Sequence, residues 1–163
     1  MRPGRALAVA ALLLAAACGT PTAALRVDVE AYLAEAETWA AVEGETARTI
    51  QRILETEFVD EALVLQHINE ATPRLEAHLA AIRAYKPATR SVADVHAVYI
   101  SSWGALLTGF QAIELGFRTG NWARLAEGRN GMGEWRDGLV RVASELRHLV
   151  ELSGASPASI KAI

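Results

Sequence analysis

From Val27 onward the apolar residues recur at intervals of three and four, and the strict alternation of a half-buried strand is absent. The first run sets Val29, Leu33, Ala36, Ala40, Glu43, Ala47, Ile50 and Leu54 on one stripe. The second, after Asp60, gives Leu65, Ile68, Thr72, Leu75, Leu79 and Ile82. The third is the most apolar: Val92, His96, Tyr99, Trp103, Leu106, Phe110, Ile113 and Phe117. The fourth runs through Leu125, Gly128, Met132, Trp135, Leu139, Val142, Leu146 and Leu149.

The punctuation between the runs is local. Pro73 lies inside the second run, but the apolar phase continues through it, so one kinked helix is expected. Thr72 as a cap, with Pro73 opening a new helix, is the alternative. Lys86–Arg90 is a break, and Ser91-x-x-Asp94 has the form of a capping box. Thr119-Gly120-Asn121 supplies a left-handed stop at Gly120 and an N-cap at Asn121. Ser153-Gly154 ends the fourth run, and residues 154–163 read as a loose tail. Four helices joined by short connections predict an all-α, antiparallel up-down four-helix bundle over residues 25–153.

The start of the chain departs from this pattern. Met1–Arg5 carries two arginines, and Ala6–Ala17 is an unbroken apolar run of twelve residues. At 1.5 Å per residue that run spans about 18 Å, short of the roughly 30 Å hydrocarbon core of a bilayer. A basic start, a short apolar stretch and a small-residue exit describe a secretory signal over residues 1–17. That segment also accounts for most of the positive mean hydropathy of +0.17. The 163-residue chain has 16 basic and 19 acidic residues; loss of Arg2 and Arg5 with residues 1–17 leaves 14 against 19, a formal −5 on 146 residues. Such a body lacks the basic footprint of nucleic-acid binding.

Cys18 is the one cysteine of the chain and directly follows the apolar run. Leu14-Ala15-Ala16-Ala17-Cys18 resembles the lipobox of a bacterial lipoprotein precursor. The resemblance implies diacylglyceryl transfer to Cys18 and cleavage before it, with residues 18–24 as a lipidated tether. The lipobox usually has leucine three residues before the cysteine, where this chain has Ala15. Ala15-x-Ala17 also suits ordinary signal peptidase, which would leave an unmodified thiol. Gly19 follows the cysteine, not the aspartate associated with inner-membrane retention, so in a Gram-negative cell the resemblance implies the outer membrane.

Candidate chemistry is sparse. Glu114 is the one formally charged residue between Asp94 and Arg118 and lies at the edge of the core stripe, where an unpaired carboxylate is costly. An ion pair with Arg52 or Arg129 is its simplest explanation, and a ligand contact or proton-handling group the sharper one. Glu43 stands at a core position beside Gly44, expected as a solvated carboxylate in an open layer about level with Glu134. His96 is expected as a hydrogen-bonded core histidine, and His67 as a candidate contact near the upper end. No bundle layer is expected to collect two histidines. Glu145-Leu146-Arg147-His148 is the single Glu-x-x-His pair, whereas di-iron bundles use two, so no metal or other cofactor is expected. Trp39, Trp103, Trp122 and Trp135 read as core or hairpin anchors, and an exposed Trp122 would instead mark a contact surface. Ser102, Gly109 and Gly116 repeat every seven residues, which suits close helix packing or a ligand groove.

Residues 18–86 hold 12 acids and 6 bases, so the first two helices form the negative side. No nucleophilic or phosphate-binding motif is legible, and an enzyme is not expected. The leading expectation is a noncatalytic envelope lipoprotein, held in the membrane by lipid on Cys18, binding a protein or cell-wall partner. The alternative is a small-ligand carrier or sensor with a pocket near helices 3 and 4.

Overall fold

The computed structural model describes residues 21–156. Residues 1–17, read above as a signal, Cys18 and most of the tail lie outside them. The described residues form four helices: α1 (Pro21–Glu55), α2 (Glu61–Ala84), α3 (Arg90–Thr119) and α4 (Trp122–Ser153). Each packs on its sequence neighbours, and α4 closes the ring on α1, giving an antiparallel four-helix bundle. No described helix is long and apolar enough to cross a membrane.

α1 begins at Pro21, inside the stretch read as tether, so residues 21–24 are helical. α2 is continuous across Pro73, and Asp60 caps it by accepting from the Leu63 amide at 3.0 Å. The turn Gly120-Asn121 is as expected: Gly120 has φ +65°, and the Asn121 side chain accepts from the Ala123 amide. Gly154 ends α4 with φ +67°, but Ala155 beyond it is buried, so the tail is packed at its start.

The expected capping box at Ser91 is displaced. Thr89 caps α3, accepting from the Val92 amide. Its position is fixed from α1: buried Asp28 accepts from the Ala88 amide (3.0 Å), the Thr89 amide (2.7 Å) and the Thr89 hydroxyl (2.6 Å). A tertiary partner sixty residues upstream overrides the local signal.

The core stripes of α1 and α2 also run one residue off the expected flank. On α1 the buried positions include Tyr32, Trp39, Thr46 and Ile53, while Ala47 and Leu54 face outward. The shared positions Val29, Ala36, Glu43 and Ile50 make either a four-three or a three-four repeat. Leu33 is buried as expected, but the three-four choice adds the Tyr32 and Trp39 rings, where the four-three stripe offers only Ala40 and Ala47 beyond it, and burial scales with apolar area. On α2, Val64, Ala71 and His78 are buried, and Leu65 and Thr72 only partly. The α3 stripe is buried as expected except for half-buried Phe117.

α3 and α4 meet backbone to backbone. A methyl group built on Gly131 would lie 2.7 Å from the Ala105 carbonyl oxygen and 2.9 Å from Gly109 Cα. One built on Gly109 would lie 2.9 Å from the Gly128 carbonyl oxygen. Ser102 faces Gly138 and donates its hydroxyl to the Val98 carbonyl at 2.8 Å. The seven-residue stripe of small residues on α3 thus serves close packing.

Candidate functional site

The middle of the bundle holds a polar aromatic layer. Trp39 of α1 stacks on Tyr99 of α3 (centroids 5.3 Å, 17°) and on His96 (6.1 Å, 26°). His78 of α2 meets Trp39 edge-on at 6.4 Å and Trp103 at 4.3 Å. Two histidines therefore flank one indole, contrary to the expectation that no layer collects two. Trp103 in turn meets Trp135 of α4 at 5.5 Å, edge to face.

Hydrogen bonds fix the protons in this layer. His96 Nε2 lies 2.9 Å from the Ile82 carbonyl, which can only accept, so Nε2 carries the proton. Nδ1 then accepts from the Tyr32 hydroxyl at 3.1 Å. His96 is a satisfied core histidine. The Tyr99 hydroxyl donates to Glu43 Oε1, and His78 Nε2 stands 3.4 Å from the same phenol oxygen. With its proton given to Glu43, that oxygen is left to accept, which assigns the His78 proton to Nε2.

Burial sets the charge states. It raises Glu43 above the usual carboxylate range, with the Tyr99 hydrogen bond opposing. It lowers His78 to about 4, and it also lowers His96, where the Ile82 bond opposes and Lys86 adds to the fall. It raises the Tyr32 and Tyr99 phenols as well, helped in both by the Glu43 charge. Burial thus favours the neutral form of both histidines and of Glu43. Glu43 is a half-buried carboxylate held by the Tyr99 phenol, and no contact joins it to exposed Glu134. The cavity beside it, lined by Tyr32, Trp39, Tyr99 and Leu139 among others, is about 30 Å³ and suits one water.

The other candidates lie apart. Glu114 is half-buried and accepts from Arg118 one turn along its own helix, not from Arg52 or Arg129. His67 is half-buried, and its Nδ1 is shielded from water with no hydrogen-bond partner. Trp122, at the start of α4, is 76% exposed, while Trp39, Trp103 and Trp135 are buried. Glu145 and His148 are exposed, and no group of three His, Cys, Asp or Glu among the described residues is placed to hold a metal ion.

Two surface hollows matter. One, about 580 Å³ and open, follows the outer face of α3 and α4 past Ala105, Gly109, Leu115 and the Arg124–Glu127 ion pair. Glu114 does not line it. The other, about 640 Å³, lies between α1 and α4 and was not expected from the sequence. Asp28 and His78 are the structural side chains that sequence reasoning passed over. For His78 a signal existed, since it shares the seven-residue spacing of Val64 and Ala71.

The turn between α1 and α2 is the strained segment. Glu57 and Phe58 have φ of 50° and 62°, a conformation that side chains with a Cβ rarely adopt. Phe58 is buried there beneath the Arg129 guanidinium, 5.0 Å above its ring. Comparison with protein-family models, with curated proteins and with solved structures finds no match for the chain.

Proposed function

We propose that the protein is a noncatalytic binding module of the bacterial cell envelope, anchored by lipid on Cys18 and contacting its partner through the end of the bundle remote from the start of α1. The observation that carries this reading is the exposure of Trp122 at that end, with Val59 at 84% exposed in the strained turn beside it in the topology. Leu63 and Leu115 add exposed apolar surface at the same end. An indole and β-branched side chain left in water are what a protein contact would bury. Glu55, Glu57, Asp60 and Glu61 surround the α1–α2 side of that end, which favours a partner with basic groups. The anchor itself rests on the lipobox resemblance. In a Gram-negative cell it places the bundle on the outer membrane, facing the periplasm or the surface.

A photoreactive amino acid at position 122 or 59, activated in intact cells, tests the contact. The expected result is one shared cross-linked partner from both positions and none from position 140, which is also open to solvent, at 67%, but lies farther along α4. Cross-linking that is absent, or the same from all three positions, overturns the reading. The mass of the mature N-terminus tests the anchor separately, and an unacylated Cys18 rejects it.

A small-ligand carrier is the second reading, favoured by the open hollow of about 580 Å³ on α3 and α4. Its charged rim and shallow walls suit a polar ligand more than an apolar one.

A further inference from the structure

The hollow between α1 and α4 differs in character from the one on α3 and α4. Its walls are Ala47, Ile50 and Leu54 from α1 and Met132, Gly133 and Trp135 from α4. Leu54 is nearly half exposed in it, an apolar side chain that packing leaves uncovered. At about 640 Å³ it falls within the range of small-molecule sites, about 300–1,000 Å³. Charge sits only on the rim. Arg129 and Arg136 stand on the α4 side, about two helical turns apart. Glu55 and Gln51 stand on the α1 side, where the Gln51 amide donates to the Glu55 carboxylate at 2.9 Å. Arg129 is exposed and lies over the Phe58 ring, and Arg136 donates from Nε and Nη2 to its exposed neighbour Asp137, both at 3.1 Å.

We propose that this groove binds a single acyl chain with an anionic head group, a free fatty acid, with the chain on the apolar floor and the carboxylate between Arg129 and Arg136. Guanidinium groups pair with carboxylates through parallel hydrogen bonds, which is the recognition an acid would have and the matching alcohol would lack. The groove runs along residues 47–55 of α1 and 129–136 of α4, about 10–12 Å, so it takes a stretch of chain and not a whole bilayer lipid. Each methylene buried on the floor raises affinity about fourfold until that length is filled. The site is separate from the contact end bearing Val59 and Trp122, so the two proposals fail independently.

Gly133 provides the test. A Cβ added there meets no atom within 4 Å, so Gly133→Leu starts its side chain in open space at the groove wall. The full chain in aqueous buffer is irradiated with a diazirine-bearing dodecanoic acid below its micelle concentration, and labelled peptides are mapped by mass spectrometry. The result expected is labelling within residues 47–55 and 129–136, at least tenfold weaker in Gly133→Leu. In the Arg129→Gln/Arg136→Gln double variant, labelling by the acid falls about tenfold, while labelling by the matching diazirine alcohol stays the same. Both variants are compared with the parent by helical content and thermal midpoint. Labelling spread over the whole surface, labelling unchanged in Gly133→Leu, or equal labelling of the parent by acid and alcohol overturns the proposal.

Discussion

Gly131 and Gly133 lie on the same turns of α4 and differ in what they face, which makes them a controlled pair. Replacing either by alanine removes the conformational freedom of glycine and favours the helix by about 1 kcal/mol. At Gly133 the new methyl group enters open space, so that gain is the whole effect. At Gly131 it meets the Ala105 carbonyl oxygen at 2.7 Å and Gly109 Cα at 2.9 Å, both backbone atoms that cannot rotate aside. Restoring an ordinary contact of about 3.4 Å requires α3 and α4 to part by roughly 0.5–0.7 Å, and that lifts Leu106, Phe110 and Ile113 off their neighbours in a close-packed interior. Overpacking of this kind costs about 1–3 kcal/mol.

The helix-propensity gain is common to both variants and cancels between them. The difference in stability between Gly131→Ala and Gly133→Ala is therefore the overpacking cost itself, about 2 kcal/mol. Urea unfolding followed by far-ultraviolet circular dichroism measures it, provided the slope with denaturant is the same for both. The expected order is Gly133→Ala above the parent and Gly131→Ala at or below it. Equal stabilities for the two variants would show that α3 and α4 do not touch through their backbones.

The buried layer makes three further predictions. His78 is held near 4 when folded against about 6.5 when unfolded, so the unfolded chain binds the extra proton and stability falls as pH drops from 6.5 towards 4. The loss approaches about 3 kcal/mol, and His96 adds to it in the same direction; His78→Leu should flatten the decline in urea midpoint between pH 7 and 4.5, and an unchanged slope would refute the assignment. Glu43 acts with the opposite sign: its raised folded value means that stability is lost as pH rises past the unfolded carboxylate range. Glu43→Gln keeps an acceptor for Tyr99 and removes the charge, so its midpoint should exceed the parent's at pH 7.5 and the gap should narrow as pH falls; a gap that does not change with pH contradicts this. Asp28→Ala orphans the Ala88 and Thr89 amides and the Thr89 hydroxyl, at a cost of about 3 kcal/mol. Hydrogen exchange should accelerate at those two amides, and exchange unchanged there would remove Asp28 from its clamping role.

The fold was legible because four long runs each repeat an apolar phase, and because Asp60, Gly120, Asn121 and Gly154 mark their ends with local chemistry. What failed was whatever depended on a second helix. The three-four stripe of α1 and the four-three stripe share half their positions, and only the aromatic partners on α3 make Tyr32 and Trp39 the buried choice. Thr89 caps α3 because Asp28 holds it, and no window of sequence around Thr89 contains Asp28. Glu43 was visible as a charge on a core stripe, but its partner Tyr99 lies 56 residues away. Glu114 stood out for the same reason, yet its arginine is one turn along its own helix. The groove between α1 and α4 had no sequence signal, because a hollow is made by residues that fall short of one another.

That shortfall follows from how the bundle divides its contacts. The glycines of α4 let its backbone touch that of α3, and the nearest atoms that a methyl group on Gly128, Gly131 or Gly138 would meet all belong to α3. α1 is held to the rest mainly by polar and aromatic clamps spaced along it: Asp28 on Thr89, Tyr32 on His96, Glu43 on Tyr99, Glu45 on Arg74. All four point to α2, α3 or their connection, and none to α4. The α1–α4 seam is left to apolar contact alone, and both the small cavity beside Glu43 and the large groove below Arg129 open along it. A guest in that groove would replace missing packing without breaking a hydrogen bond. Filling it from within, by Gly133→Leu, should therefore tighten the same seam that a ligand would fill from without.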